Sequence, residues 1–295
     1  MAGVPLLVGL DLPTAVGDVA DPVEAARTAE SLGFDFVSSN DHLLGPDPRY
    51  EAWTLLSHVA AATTTLRFAT RVLGVPYRHP VLTAKMAETF DRLTHGRLIL
   101  GLGAGSGEAE FAAMGLDPGE PRARVDALAE AISIIRGAWA ETPFSYGGEQ
   151  FQVDEASLMP KPDHEIPIWL GAVGPRGLEL VGRMADGWVP SPHFAPPDRV
   201  PRMVARIREA ADSAGRDAGA LSLIYNVPVT LAGPGDDEVV GGSPDDIARR
   251  LLAYVSLGFT GFNLIVIGTD RAWQVERLGR EVLPALRAAS EPSRG

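Results

Sequence analysis

The sequence contains no cysteine and only two lysines, and both shortages narrow the chemistry open to it. Without cysteine the chain has no disulfide, no thiolate nucleophile and no cysteine-bound metal. Lys85 and Lys161 are the two lysines, and neither follows glycine with the spacing of a phosphate-binding P-loop. The composition therefore excludes thiol catalysis and a P-loop nucleotide hydrolase.

Long apolar runs and a basic surface are also missing. No segment approaches the ~20 apolar residues of a membrane-spanning helix, and residues 1–11 lack the basic start and unbroken apolar run of a signal peptide. The formal net charge of −12 disfavours binding to nucleic acid or to an anionic membrane. We therefore expect a cytoplasmic protein whose partners include no nucleic acid and no membrane.

The histidines are few and scattered. None of the six pairs with another at i, i+4, and no HExxH motif is present. No G-x-S-x-G motif surrounds a serine either. The sequence thus predicts no metal site and offers no nucleophile for an α/β-hydrolase.

Short β-rich runs alternate with longer amphipathic segments along the chain, which is typical of βα units around a parallel sheet. Eight such units in one domain, residues 1–295, predict a single α/β (β/α)8 TIM barrel. The connection at about 142–165 is too long for a turn and predicts a hairpin insertion before the fifth strand. The predicted strands lie near residues 5–10, 34–39, 66–73, 97–103, 166–171, 187–190, 221–230 and 261–267.

Catalytic residues of such barrels follow the carboxyl ends of the strands. Asp41 and His42 follow the second strand, where a carboxylate and an imidazole could bind polar ring atoms and move a proton near neutral pH. Gly101–Gly107 follows the fourth strand but does not meet the dinucleotide spacing G-x-G-x-x-G. Gly171–Gly174 precedes a helix whose first N–H groups could bind an anion. On pattern alone, a loop-capping pair is the favoured explanation of Asp41-His42, and tight βα turns are the alternative explanation of the two glycine segments.

The order and spacing of these motifs resemble the luciferase-like monooxygenase superfamily, and within it the branch that uses the deazaflavin coenzyme F420. The segments that carry the resemblance are Asp41-His42, Val72–Pro80, Asp91–Gly105, Ile166–Gly174 and Ala185–Trp188. The resemblance implies a non-proline cis peptide within Arg71–Val75 and a homodimer. It implies that His42 is catalytic and that the cofactor is bound by Asp41, Val72, Gly74, Ala104, Gly105, Ser106, Gly171, Ala172, Val173 and Gly174.

We expect an oxidoreductase that transfers a hydride between coenzyme F420 and a small organic substrate, with His42 as the proton partner. The alternatives are an FMN-dependent monooxygenase of the same superfamily and a non-catalytic flavin-binding protein. Ser106 stands where some deazaflavin dehydrogenases carry an acid, which weakens the expectation of a sugar-phosphate substrate. Tyr50, Trp53 and His193 are predicted to contact the substrate.

Overall fold

Eight parallel strands close into a barrel in the computed structural model, which describes residues 6–16, 21–45, 47–105, 107–117 and 119–290. The order around the barrel is β1-β2-β3-β5-β8-β9-β10-β12, and β12 pairs again with β1. The predicted TIM barrel is confirmed. The strands are Leu7–Asp11 (β1), Phe36–Ser39 (β2), Arg67–Thr70 (β3), Leu73–Gly74 (β4), Leu98–Gly103 (β5), Phe144–Gly147 (β6), Gln152–Ala156 (β7), Ile168–Leu170 (β8), Gly187–Trp188 (β9), Ser222–Thr230 (β10), Val240–Gly241 (β11) and Gly261–Val266 (β12).

Helices cover the outside of the barrel, and local capping sets where several begin. Ser243 and Asp246 form a reciprocal capping box, and Asp21 caps a helix that ends at the left-handed Gly33. No described helix is both long and apolar enough to cross a membrane. The helices are Pro22–Leu32 (α1), Ala52–Ala60 (α2), Pro80–Leu93 (α3), Glu108–Ala113 (α4), Pro121–Ala140 (α5), Pro175–Met184 (α6), Val200–Ser213 (α7), Pro244–Val255 (α8), Arg271–Arg277 (α9) and Leu283–Ser290 (α10).

The core has two layers because successive side chains of a strand point to opposite faces. Phe36 and Trp169 meet edge to face at 5.5 Å inside the barrel, within a small cluster of apolar side chains. The larger cluster lies between the strands and the helices. There Tyr225 stacks on Phe259 at 4.2 Å. Both layers are packed below the carboxyl ends of the strands, so these ends remain for a binding site.

Two segments depart from a plain βα alternation. The third predicted strand, 66–73, is interrupted, because β3 ends at Thr70 and β4 resumes at Leu73 beside β5. The Arg71–Val72 peptide between them is cis and lies within the predicted Arg71–Val75. Between α5 and β8, β6 and β7 pair antiparallel, and Glu130 of α5 accepts the N–H groups at the tip of this pair.

Candidate active site

A cavity of about 370 Å³ opens among the carboxyl ends of the strands, within the size range of small-molecule sites. Most of the predicted site residues meet there although they come from distant parts of the chain. Ser106, also predicted, lies outside the described residues. Ten predicted residues line the cavity: Asp41, His42, Val72, Gly74, Ala104, Gly105, Gly171, Ala172, Val173 and Gly174.

The Asp41 carboxylate holds the loop that carries His42. It accepts two hydrogen bonds from the Arg78 guanidinium, at 2.8 and 2.9 Å, and one from the Gly74 N–H at 3.0 Å. Its side chain is only 1% exposed. Arg78 also binds Glu51, which caps α2. Burial opposes the charge on Arg78, but Asp41 and Glu51 raise its pKa above the ordinary value. Burial raises the pKa of Asp41 above its ordinary value, although the hydrogen bonds from Arg78 and the Gly74 N–H oppose that rise. The pair ties three segments together.

Glu110 of α4 orients His42 from the other side. One carboxylate oxygen accepts the N–H groups of Leu43 and Leu44, the latter at 2.9 Å. The other oxygen accepts the Tyr77 hydroxyl at 3.1 Å and lies 3.5 Å from His42 Nδ1. Burial alone would raise the pKa of Glu110, yet these donors hold it below its usual value. The Glu110 carboxylate therefore faces Nδ1 of His42 and not Nε2.

An ion pair between Arg71 and Asp11 lies beside the cavity. Arg71 Nη2 donates to Asp11 Oδ1 at 2.8 Å. Arg71 lines the cavity, and its Nε is buried without a hydrogen-bond partner among the described residues. A buried N–H without a partner costs free energy, and a carbonyl oxygen of a ligand could satisfy it. Arg71 is therefore the clearest unused donor of this site.

Val72 fills space that two glycines leave open. A Cβ built at Gly103 would lie 2.6 Å from Val72 Cγ2, and one at Gly171 would lie 2.9 Å from the same atom. At Gly103 and Gly171 the missing side chains let Val72 pack against the strand ends.

The start of α6 provides a second unused group of donors. Gly174 caps this helix without a side-chain hydrogen bond, and a Cβ there would meet no atom within 4 Å. The N–H groups of the first turn have no partner within the helix, so the positive end of the helix dipole faces the cavity rim. Arg176 in this turn pairs with Asp126 of α5. The segment is suited to a phosphate group held by backbone N–H groups.

The structure does not bring the three predicted substrate contacts into the cavity. Tyr50 is 41% exposed before α2 and is not part of the lining. Trp53 packs edge to face on Phe90 at 5.8 Å, in a groove between α2 and α3. His193 points to Glu238, with Nδ1 3.2 Å from Oε1, although Ser191 and Phe194 beside it do line the cavity. Glu51 accepts the Trp53 N–H at the start of α2, and Glu238 lies beside His193. The three substrate contacts stay predictions for residues that lie outside the cavity lining.

Sequence reasoning missed four residues that shape the site. Arg78 lies in the Val72–Pro80 segment that carries the resemblance, but the partners of Arg78 and Glu110 are far away in sequence, so no role was predicted for either. Arg71 was named only as the start of a predicted bulge. Asn226 lines the cavity from within β10, and its lone amide in an apolar strand was a usable signal.

Comparison with known proteins decides the family. Residues 5–241 match the family model described as luciferase-like monooxygenase. The chain belongs to the luciferase-like monooxygenase family. The predicted resemblance is thereby confirmed.

Relatives in this family include proteins named for coenzyme F420. A protein of Microbacterium testaceum named F420-dependent glucose-6-phosphate dehydrogenase is 27% identical, with 88% of this chain and 91% of that protein covered. A Mycobacterium tuberculosis protein named F420-dependent hydroxymycolic acid dehydrogenase is 34% identical, with 76% and 61% covered. The solved structure of an F420-dependent secondary alcohol dehydrogenase superposes with a TM-score of 0.88 at 20% identity, over 96% of this chain and 100% of that one. The likeness to this solved structure supports the fold.

Proposed function

We propose that this protein is a coenzyme F420-dependent oxidoreductase that transfers a hydride between the deazaflavin and a small organic substrate. The relatives named F420-dependent dehydrogenases support the cofactor and the reaction class. The observation that carries the proposal is the placement of His42. Its ring lines the cavity, and a buried carboxylate faces its Nδ1.

The residues around the cavity fit such a cofactor in two respects. The unpartnered Nε of Arg71 suits a ring carbonyl, and the open N-terminus of α6 suits a phosphate. We assign Val72, Gly74, Ala104, Gly105 and Gly171–Gly174 to cofactor binding, together with Ser106. Because both Asp41 oxygens are already bonded, Asp41 contributes by fixing Gly74 and the His42 loop.

The bound deazaflavin supplies two-electron chemistry by accepting or donating a hydride. His42 then has one task, which is to move the proton of the substrate hydroxyl. With Glu110 facing Nδ1, neutral His42 carries its proton on that nitrogen and presents the Nε2 lone pair to the substrate.

A titration of the purified protein with deazaflavin and, separately, with FMN tests the proposal. We expect quenching of deazaflavin fluorescence with tight binding and at least ~10-fold weaker binding of FMN. His42→Ala should retain deazaflavin binding, and His58→Ala, on an exposed face of α2, is the matched control. A preference for FMN would favour the monooxygenase alternative and would make oxygen-dependent turnover the next assay. If neither ligand bound, the proposal would be wrong.

The homodimer and the cytoplasmic location that the sequence predicts stay predictions. The described residues form one chain, and none of their contacts tests either of them. Sedimentation of the purified protein would settle the dimer.

A further inference from the structure

Tyr77 lines the cavity, but the proposed reaction leaves it without a role. It ends the short 3₁₀ helix Val75–Tyr77 that follows β4. Its hydroxyl donates to Glu110 Oε2 at 3.1 Å, and the same oxygen lies 3.5 Å from His42 Nδ1. A phenol and an imidazole therefore meet on one carboxylate oxygen.

The packing of the Tyr77 ring fixes where this hydroxyl lies. The ring contacts Phe111 of α4, with 5.5 Å between the ring centroids. It also lies against Gly74, where a Cβ would come within 2.7 Å of two ring carbons. The Gly74 N–H in turn donates to Asp41 at 3.0 Å. The ring is therefore held between α4 and the segment that Asp41 anchors.

Glu110 depends on Tyr77 for the position of its second oxygen. The first oxygen, Oε1, accepts the N–H groups of Leu43 and Leu44. Among the described residues, the contacts of Oε2 are those with Tyr77 and His42. The terminal torsion of a glutamate is broad, so one anchored oxygen alone does not set the plane of the carboxylate. The Glu110 side chain is only 8% exposed, so water is a poor substitute for the Tyr77 hydroxyl.

The protonation states of Tyr77 and Glu110 favour such a contact. Burial is the main reason that the pKa of Tyr77 is raised, and Glu110 and Asp41 raise it further against the effect of Arg78. The phenol therefore keeps its proton at neutral pH and acts as the donor. Burial would raise the pKa of Glu110, but its hydrogen-bond donors, first the backbone N–H groups and then the Tyr77 hydroxyl, hold it below the ordinary value.

We propose that Tyr77 is a positioning residue, whose hydroxyl holds the Glu110 oxygen that faces His42 and thereby selects the tautomer of this imidazole. The inference rests on the proposed function, in which the Nε2 lone pair of His42 moves the substrate proton. A carboxylate oxygen held at Nδ1 favours the proton on that nitrogen, and Nε2 then carries none. Without the Tyr77 hydroxyl the carboxylate can turn, and this preference weakens.

The tautomer of His42 tests the inference without cofactor or substrate. The six histidines are labelled with ¹⁵N, and long-range ¹H–¹⁵N correlation spectra are recorded at about pH 8, where a typical imidazole is neutral. The signal that His42→Gln removes belongs to His42. We expect the Nδ1–H tautomer in the wild-type protein. In Tyr77→Phe, which keeps the ring, the ratio of the Nδ1–H to the Nε2–H tautomer should fall about fivefold, the equivalent of one hydrogen bond.

Two comparisons make this test specific. Tyr146→Phe removes a hydroxyl on β6, outside the cavity lining, and should leave the His42 signal unchanged. In a Glu110→Gln background, Tyr77→Phe should add no further change, because both substitutions act through the same oxygen.

An unchanged tautomer ratio in Tyr77→Phe would overturn the inference and leave the proposed function standing. Tyr77→Phe should also bind deazaflavin with a dissociation constant within about threefold of the wild-type value. A larger loss of binding with an unchanged tautomer would make Tyr77 a cofactor contact instead. Failure of the wild-type protein to bind deazaflavin would overturn the proposed function, and the tautomer ratio would still decide whether Tyr77 positions His42.

Discussion

The two ends of the barrel use buried or half-buried carboxylates for different purposes. At the amino ends of the strands, carboxylates accept backbone N–H groups: Glu30 binds those of Thr64, Thr65 and Leu66, and Asp186 binds that of Ile168. At the carboxyl ends, Glu110 also binds His42 and Tyr77, which line the cavity, and Asp41, itself a lining residue, binds Arg78. The first group of carboxylates sets where strands begin, whereas the second group positions side chains of the candidate active site.

This division matches the general design of TIM barrels, in which one end gives stability and the other carries catalysis. In this chain the division follows from the contacts of two carboxylates, Asp186 and Glu110. Asp186 binds Arg136 and Arg216 on the outer surface, so its loss should loosen the fold without touching the cavity. Glu110 contacts His42 directly, so its loss should change the reaction first.

The largest effect is expected at His42. His42→Ala removes the group that moves the substrate proton, so kcat should fall by about 10²–10⁴-fold. The dissociation constant of deazaflavin should change by less than about threefold, because the glycine segments and Arg71 remain. Steady-state kinetics and fluorescence titration measure both quantities. Loss of binding with unchanged kcat would assign His42 to the cofactor and not to the proton.

Substituting Glu110 tests the positioning role. Glu110→Gln keeps the shape and removes the charge beside Nδ1 of His42. We expect kcat to fall about tenfold while KM and the deazaflavin dissociation constant change little. A purely structural role would instead lower the melting temperature and raise KM together. Glu108→Gln, on the same short helix but exposed, is the matched control.

At the amino ends of the strands we expect the reverse, a change in stability without a change in kcat. Asp186→Asn weakens the pairs with Arg136 and Arg216 and should lower the free energy of unfolding by about 1–2 kcal/mol, since both pairs are partly exposed to solvent. Urea unfolding measures this change, and kcat should remain at the wild-type value. A fall in kcat without a change in stability would break the distinction between the two ends.

The smallest expected effect is a pH dependence at Glu30. Burial opposes its charge, but the N–H groups of Thr65, Thr64 and Leu66 lower its pKa from 4.5 to about 2. A carboxylate with a lowered pKa contributes stability above pH 4.5 and loses it as the pH falls towards 2. Glu30→Gln should therefore lower the free energy of unfolding by about 1 kcal/mol at pH 7 and by less at pH 3. An equal loss at both values would contradict this role.

Much of the architecture was predictable because it depends on local pattern. Apolar runs locate the strands to within a few residues, and the carboxyl end of each strand locates the cavity lining, including His42 and Gly171–Gly174. These features follow from periodicity and chain order, which a single sequence displays.

Long-range pairing explains what could not be predicted. Trp53 looked like a substrate contact because it follows the His42 loop, but helix α2 turns it towards Phe90. Glu110 lies more than sixty residues from the loop that it binds. Whether Asp41 would bind a ligand or an arginine depended on where Arg78 folds.

The most direct test of the central claim is to follow the hydride itself. A substrate deuterated at the carbon that gives up the hydride would be reacted with the deazaflavin complex, and the reduced cofactor analysed by mass spectrometry. Hydride transfer within the cavity predicts that the reduced cofactor gains the deuterium. Reduced cofactor without the label, or turnover that consumes oxygen, would contradict the account.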